Sequence, residues 1–185
     1  LLVMTYYSPA DSGIEHYSKW FDYAISRNPQ TTFMVTIPWG KDLYRADRQE
    51  LVDKETRIAA LYDALIVDLR RKYPENRILY CPYGLGVYEL IARLSDGKLP
   101  GVEHVLNPDK QARAQSKQNK DQLLNDELGH GGALVGKLGA LLWLQTLYDY
   151  DMSTLKPQTV SGLPDIDLNE IAAKVHKRIA PFNAR

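Results

Sequence analysis

Three short apolar runs, each separated from the next by a longer amphipathic stretch, limit what this chain can fold into. Residues 1–5, 32–37 and 77–81 are rich in Val, Ile, Leu, Met, Thr and aromatics, and the last two end at Pro38 and Pro82. Between the first two, Ile14, Tyr17, Trp20, Phe21, Ala24 and Ile25 recur at spacings of three and four. That spacing predicts a helix over 14–27, stopped by Asn28-Pro29. Between the second pair, Ile58, Leu61, Tyr62, Leu65, Ile66 and Leu69 predict a long helix over 51–72, after a charged connection over 41–50. Strands with no polar alternation are buried on both faces, and strand–helix–strand order over these distances gives βαβ units. The expected class is therefore α/β with a parallel sheet.

The remainder predicts further helices on that sheet. Gly84 and Gly86 lead into a helix around 87–94, closed by Asp96-Gly97. Residues 107–125 are polar and rich in Gln and Lys, which suits a solvated loop, an exposed helix or a flap over a site. Residues 131–148 are apolar nearly all round, as in a helix buried on several sides. A linker over 156–164 leads to a last helix over 168–179, with Asp165 or Asp167 as N-cap. The domain expectation is one α/β unit over 1–155, with the linker and terminal helix of 156–185 packed on it.

Composition narrows function. The 185 residues carry 23 basic and 23 acidic side chains, which argues against a nucleic-acid partner. No apolar run approaches the ~18–20 residues of a membrane span. The one cysteine, Cys81, excludes an internal disulfide and reads as a buried small hydrophobe. The chain opens inside a strand-like run, so the expectation is that an N-terminal segment is missing.

His130 stands apart from His16, His104 and His176, which read as surface residues. In Asn125-Asp126-Glu127-Leu128-Gly129-His130-Gly131-Gly132 two carboxylates precede it by three and four positions, among glycines, at a helix entry. A general base needs one ring nitrogen free and the other held by an acceptor, often a carboxylate. The same histidine could instead cap the helix or satisfy a buried carbonyl. No second histidine stands at metal-ligand spacing, so neither a metal nor a cofactor is expected. Tyr83-Gly84-Leu85-Gly86 is only a fragment of a dinucleotide-binding loop. None of the eight serines sits in a nucleophile elbow, and Ser12, in a Pro/Asp/Gly-rich turn, reads as a local turn residue.

The order of strands and helices, with the Asp126…His130 loop before an apolar helix, resembles the later part of an SGNH (GDSL-like) hydrolase. Ser8-Pro9-Ala10-Asp11-Ser12-Gly13-Ile14-Glu15, Asn28-Pro29 and Asp126-Glu127-Leu128-Gly129-His130 resemble, more narrowly, SGNH-like proteins of environmental bacteria such as planctomycetes. The resemblance implies a flavodoxin-like three-layer sandwich lacking its N-terminal strands, and a serine esterase whose nucleophile lies upstream of Leu1. It assigns His130 as base. The superfamily spacing selects Glu127 as its acid, whereas the narrower group selects Asp126, which is favoured. The implied partner is a small-molecule or glycan ester, such as an O-acylated carbohydrate, with no cofactor. Tyr6-Tyr7-Ser8-Pro9 stands where the family carries an oxyanion asparagine, so a non-catalytic glycan- or protein-binding domain is the alternative. Trp39, Tyr83, Tyr6 and Tyr7, expected at strand C-termini, either stack on a sugar or pack against loops.

Overall fold

The computed structural model describes residues 1–5, 13–40, 42–109, 111, 120–163 and 165–183. Three strands, β1 (Leu2–Thr5), β2 (Phe33–Thr36) and β3 (Ile78–Cys81), form one parallel sheet in the order β1-β2-β3. Leu2 pairs with Phe33 and Phe33 with Ile78, so the three strands run in step and their C-terminal ends form one edge. Helix α1 (Glu15–Arg27) connects β1 to β2, and α2 (Arg48–Lys72) connects β2 to β3. The α/β class and the parallel sheet follow the sequence expectation.

Alternation along β2 and β3 divides the core between helices on two faces. Phe33 stacks on Phe21 of α1 with ring centroids 3.6 Å apart, and Tyr80 donates its hydroxyl to Asp63 of α2 at 2.9 Å. Neighbouring Thr36 and Cys81 point the other way, where Thr146 of α4 (Ala133–Tyr148) lies beside the Cys81 thiol. Helix α3 (Tyr83–Ser95) and α5 (Leu168–Lys177) pack against α4, and the short α6 (Ala180–Asn183) follows. Helix α4 buries Leu134, Val135, Leu138 and Leu142 among these neighbours, yet leaves Ala133, Gly136, Lys137 and Ala140 exposed.

Two helix starts differ from the sequence expectation. Helix α2 begins three residues early, at Arg48, because Asp47 and Glu50 form a capping box. The Asp47 carboxylate accepts from the Glu50 N–H at 2.9 Å, and the Glu50 carboxylate accepts from the Asp47 N–H at 3.1 Å. Helix α3 begins at Tyr83, so both glycines lie inside it. The Gly84 N–H donates to the Ile37 carbonyl at 2.8 Å, and the first turn of α3 rests directly on the chain leaving β2. Asp167, one of the two expected caps, accepts from the Asn169 and Glu170 N–H groups at the start of α5.

The two sheet edges are treated differently. At β3, the Asn183 carboxamide donates to the Tyr80 carbonyl at 3.0 Å and accepts from the Tyr80 N–H at 3.1 Å. One side chain thereby takes the place of a neighbouring strand and blocks further pairing. Among the described residues β1 pairs with β2 alone.

Candidate functional site

The site begins with a loop closed on itself. Segment 121–124 lies beside 103–105: the Leu123 N–H donates to the His104 carbonyl at 3.1 Å and the Leu124 N–H to the Val105 carbonyl at 2.8 Å. The described part of the polar segment expected as a loop or flap is thus anchored, with Gln122, Leu123 and Leu124 buried. The rest of that segment, and Tyr6, Tyr7 and Ser12, lie outside the described residues. From Leu124 the chain turns out and returns. The Asn125 N–H donates to the His130 carbonyl at 2.7 Å, and the Gly132 N–H to the Leu123 carbonyl at 2.8 Å.

Inside this loop the Asp126 side chain makes three bonds. Its Oδ1 accepts from the N–H groups of Leu128 at 3.0 Å and His130 at 3.1 Å, and its Oδ2 lies 2.6 Å from His130 Nδ1. Gly129 makes this possible with a φ of +88°, a left-handed conformation that turns the chain back toward Asp126. Of the two candidate acids, Asp126 is therefore the one on the imidazole. The hydrogen bond from the His130 ring holds the Asp126 carboxyl below the ordinary carboxylate range, with the two backbone donors acting in the same direction. With the carboxylate ionised, Nδ1 carries the proton it shares, and Nε2 is left as the basic nitrogen. Removing the ring in His130→Ala should raise the Asp126 pKa toward its ordinary value; carboxyl carbon shifts followed by NMR through an acid titration measure this. An unchanged titration would show that the backbone donors alone depress it.

His130 borders a cleft of about 580 Å³ at the C-terminal edge of the sheet. Val3, Thr5 and Thr36 of the strands line it together with Trp39, Tyr83 and Trp143. Ligands of open α/β sheets bind outside the carboxyl ends of the strands, so this is the expected edge. The Trp39 indole N–H donates to the Gly129 carbonyl at 2.9 Å, tying the loop to the residue that follows β2 and Pro38. A larger cavity, about 720 Å³, lies at the opposite edge. There Arg70 donates to the carbonyls of Ile78 and Phe182, and Asn76 to those of Pro29 and Thr31, so these polar groups hold chain segments together.

No family model, curated protein or solved structure matches this chain. What the site can do is therefore argued from its own geometry.

The other candidates fall elsewhere. His16 is exposed on α1, and His104 lies half-buried beside Glu103. His176 departs from the surface position expected of it. It is half-buried on α5, its Nε2 is inaccessible, and burial lowers its pKa while Asp149 opposes the change. Among the described residues no cluster of three His, Cys, Asp or Glu side chains is placed to hold a metal ion. No described helix is long and apolar enough to cross a membrane. Cys81 is fully buried, and burial pushes its thiol up to about 12. At neutral pH it is thus a thiol shielded from solvent. Native protein should leave Ellman's reagent unreacted over hours while the denatured chain releases one equivalent; rapid reaction of the native protein would contradict that burial.

Trp143 and Leu128 were not legible as site residues. Trp143 falls within an unbroken apolar helix pattern and reads as core, whereas it lines the cleft. Leu128 lies between the acid and the base, 80% exposed at the cleft rim.

Proposed function

We propose that this chain carries the acid and base of a serine hydrolase acting on a carboxylic ester. The observation that carries this is the Asp126–His130 pair beside a cleft at the C-terminal edge of a parallel sheet. The serine nucleophile that this pair requires is not among the described cleft-lining residues, and the side of β1 that pairs with no described strand, whose Val3 and Thr5 line the cleft, leaves room for it. In this reading the fold is a flavodoxin-like three-layer sandwich of the SGNH type. The O-acylated carbohydrates implied by the family resemblance are the candidate substrates.

The chemistry follows from the pair. The serine Oγ attacks the ester carbon as its proton passes to His130 Nε2. The alcohol departs with that proton and leaves an acyl-enzyme. Water, deprotonated by the same nitrogen, then releases the acid and regenerates the serine. Asp126 holds the ring in the tautomer this requires and stabilises the imidazolium formed in each step.

Labelling of the full-length protein with a fluorophosphonate probe tests the proposal. Stoichiometric labelling of a serine, lost in His130→Ala, is the expected result. No labelling of well-folded protein would sink it in favour of a non-catalytic glycan- or protein-binding domain. That alternative is favoured by Tyr6-Tyr7-Ser8-Pro9 standing where an oxyanion asparagine is expected.

A further inference from the structure

We infer that the cleft beside His130 receives an apolar organic group, a short alkyl chain or an aromatic ring, attached to the carboxylic ester or acid that His130 meets. This rests on the cleft being the working site of the protein and goes further by naming what fills it.

The walls are apolar and rigid. Trp39 and Tyr83 meet edge to face with centroids 5.1 Å apart. Each is fixed from behind. The Trp39 indole is tethered to the Gly129 carbonyl, and the Tyr83 ring lies so close to Gly139 of α4 that a Cβ there would come within 2.5 Å of it. Trp143, half-buried, and Leu128, exposed, extend the apolar lining, with Ile37 fully buried behind it. Large apolar surface beside a polar group is a usual mark of a ligand site, and the volume lies within the roughly 300–1,000 Å³ such sites occupy.

Polar groups are few among the described residues. Among them the cleft lining contains no Lys, Arg, Asp or Glu, so none offers a phosphate or polyanion a permanent charge. The Thr5 hydroxyl already donates to the Thr36 carbonyl at 3.2 Å. A sugar ring buried in this cleft would find few side-chain partners for its hydroxyls among the described residues, and each hydroxyl lost from water without one opposes binding. An alkyl or aryl group has no such requirement. His130 at one end supplies the polar contact for the carboxyl group, which fixes the ligand's direction. An O-acylated sugar is then accommodated with its acyl group in the cleft and its sugar outside.

The three tryptophans give a readout independent of catalysis. Trp39 and Trp143 line this cleft, whereas Trp20 lies on α1 beside the side of β1 that pairs with no described strand. Protein containing 5-fluorotryptophan, assigned with single Trp→Phe variants, is titrated by ¹⁹F NMR with acetate, butyrate, hexanoate, phenylacetate and methyl glucoside. The expected result is that hexanoate and phenylacetate shift the Trp39 and Trp143 resonances and leave Trp20 unmoved. Affinity should rise about fourfold per methylene from acetate to hexanoate. Hexanoate binding alone selects the chain, and phenylacetate binding alone selects the ring. Leu128→Ser, a change at an exposed position, should weaken hexanoate binding at least threefold. Three results overturn the inference: no shift of either resonance in folded protein, a shift confined to Trp20, or methyl glucoside binding more tightly than hexanoate. Because no nucleophile takes part, unlabelled protein that still binds hexanoate would overturn the hydrolase alone. Labelled protein that does not bind it would overturn the cleft assignment alone.

Discussion

Gly84→Ala should lower the stability of this domain by about 3 kcal/mol, the upper part of the usual range for forcing atoms into a packed interior. A Cβ on Gly84 would lie 2.1 Å from the Pro38 carbonyl oxygen and 2.4 Å from its carbon, both backbone atoms that cannot rotate away. The first turn of α3 must then lift from the end of β2, stretching the bond from the Gly84 N–H to the Ile37 carbonyl. For a chain of this length the midpoint of thermal unfolding should fall by about 6–12 °C. Gly136→Ala is the control. Gly136 is exposed within α4 and nothing lies within 4 Å of its added Cβ, so alanine should stabilise by about 0.5–1 kcal/mol through helix propensity. The same chemical change thus has opposite signs at the two sites. Equal unfolding midpoints for the two variants would show that the contact at Pro38 is not tight. The destabilised variant should also broaden the Trp39 signals, since Trp39 follows the displaced residue.

The contrast between these glycines shows how far the sequence carries. Strands β1 to β3 and helices α1 and α2 were legible because each is a local pattern: a run of apolar β-formers, or apolar residues every three to four positions. The start of α2 has a local sign, Asp47-x-x-Glu50, but the charged residues around it read as a connection and the helix was expected three residues late. The start of α3 was not. Two glycines in four residues argue against a helix by propensity, and only distant neighbours explain them: Pro38, more than forty positions away, for Gly84, and Leu138 and Leu142 of α4 for Gly86. The candidate site divides along the same line. The Asp126 and His130 spacing lies in one loop and could be read directly; spacing alone does not separate Asp126 from Glu127, and the favoured Asp126 reaches the ring because Gly129 turns the chain at positive φ. The Trp39 bond to Gly129 spans ninety positions and has no local sign. Trp143 is hidden for a different reason: a helix buried on several sides has no periodicity that separates a cleft-lining residue from a core one.

On the proposed hydrolase function, hydrolysis of p-nitrophenyl hexanoate should fall by about 10⁴-fold in His130→Ala, since the base then acts in both halves of the reaction. Asp126→Asn is the sharper experiment. The asparagine Oδ1 can keep the bonds from the Leu128 and His130 N–H groups, so the loop retains its shape. Its Nδ2, however, replaces the oxygen that faces His130 Nδ1 at 2.6 Å, and it donates where that oxygen accepted. The ring is then held in the other tautomer, with the proton on Nε2, and the base is occupied. A loss of about 10²–10⁴ in kcat/KM is expected, carried by kcat, with unfolding unchanged within about 0.5 kcal/mol. Glu127→Gln, which leaves the Asp126–His130 bond in place, should stay within about threefold of the parent. The three together separate catalysis from loop closure. Were Asp126→Asn to unfold the loop without Glu127→Gln changing anything, the carboxylate would be a structural clamp. Were both His130→Ala and Asp126→Asn to keep full activity, the hydrolytic centre would have to lie elsewhere. The tautomer argument requires kcat to fall at intact structure, an outcome that neither a clamp nor a binding role produces.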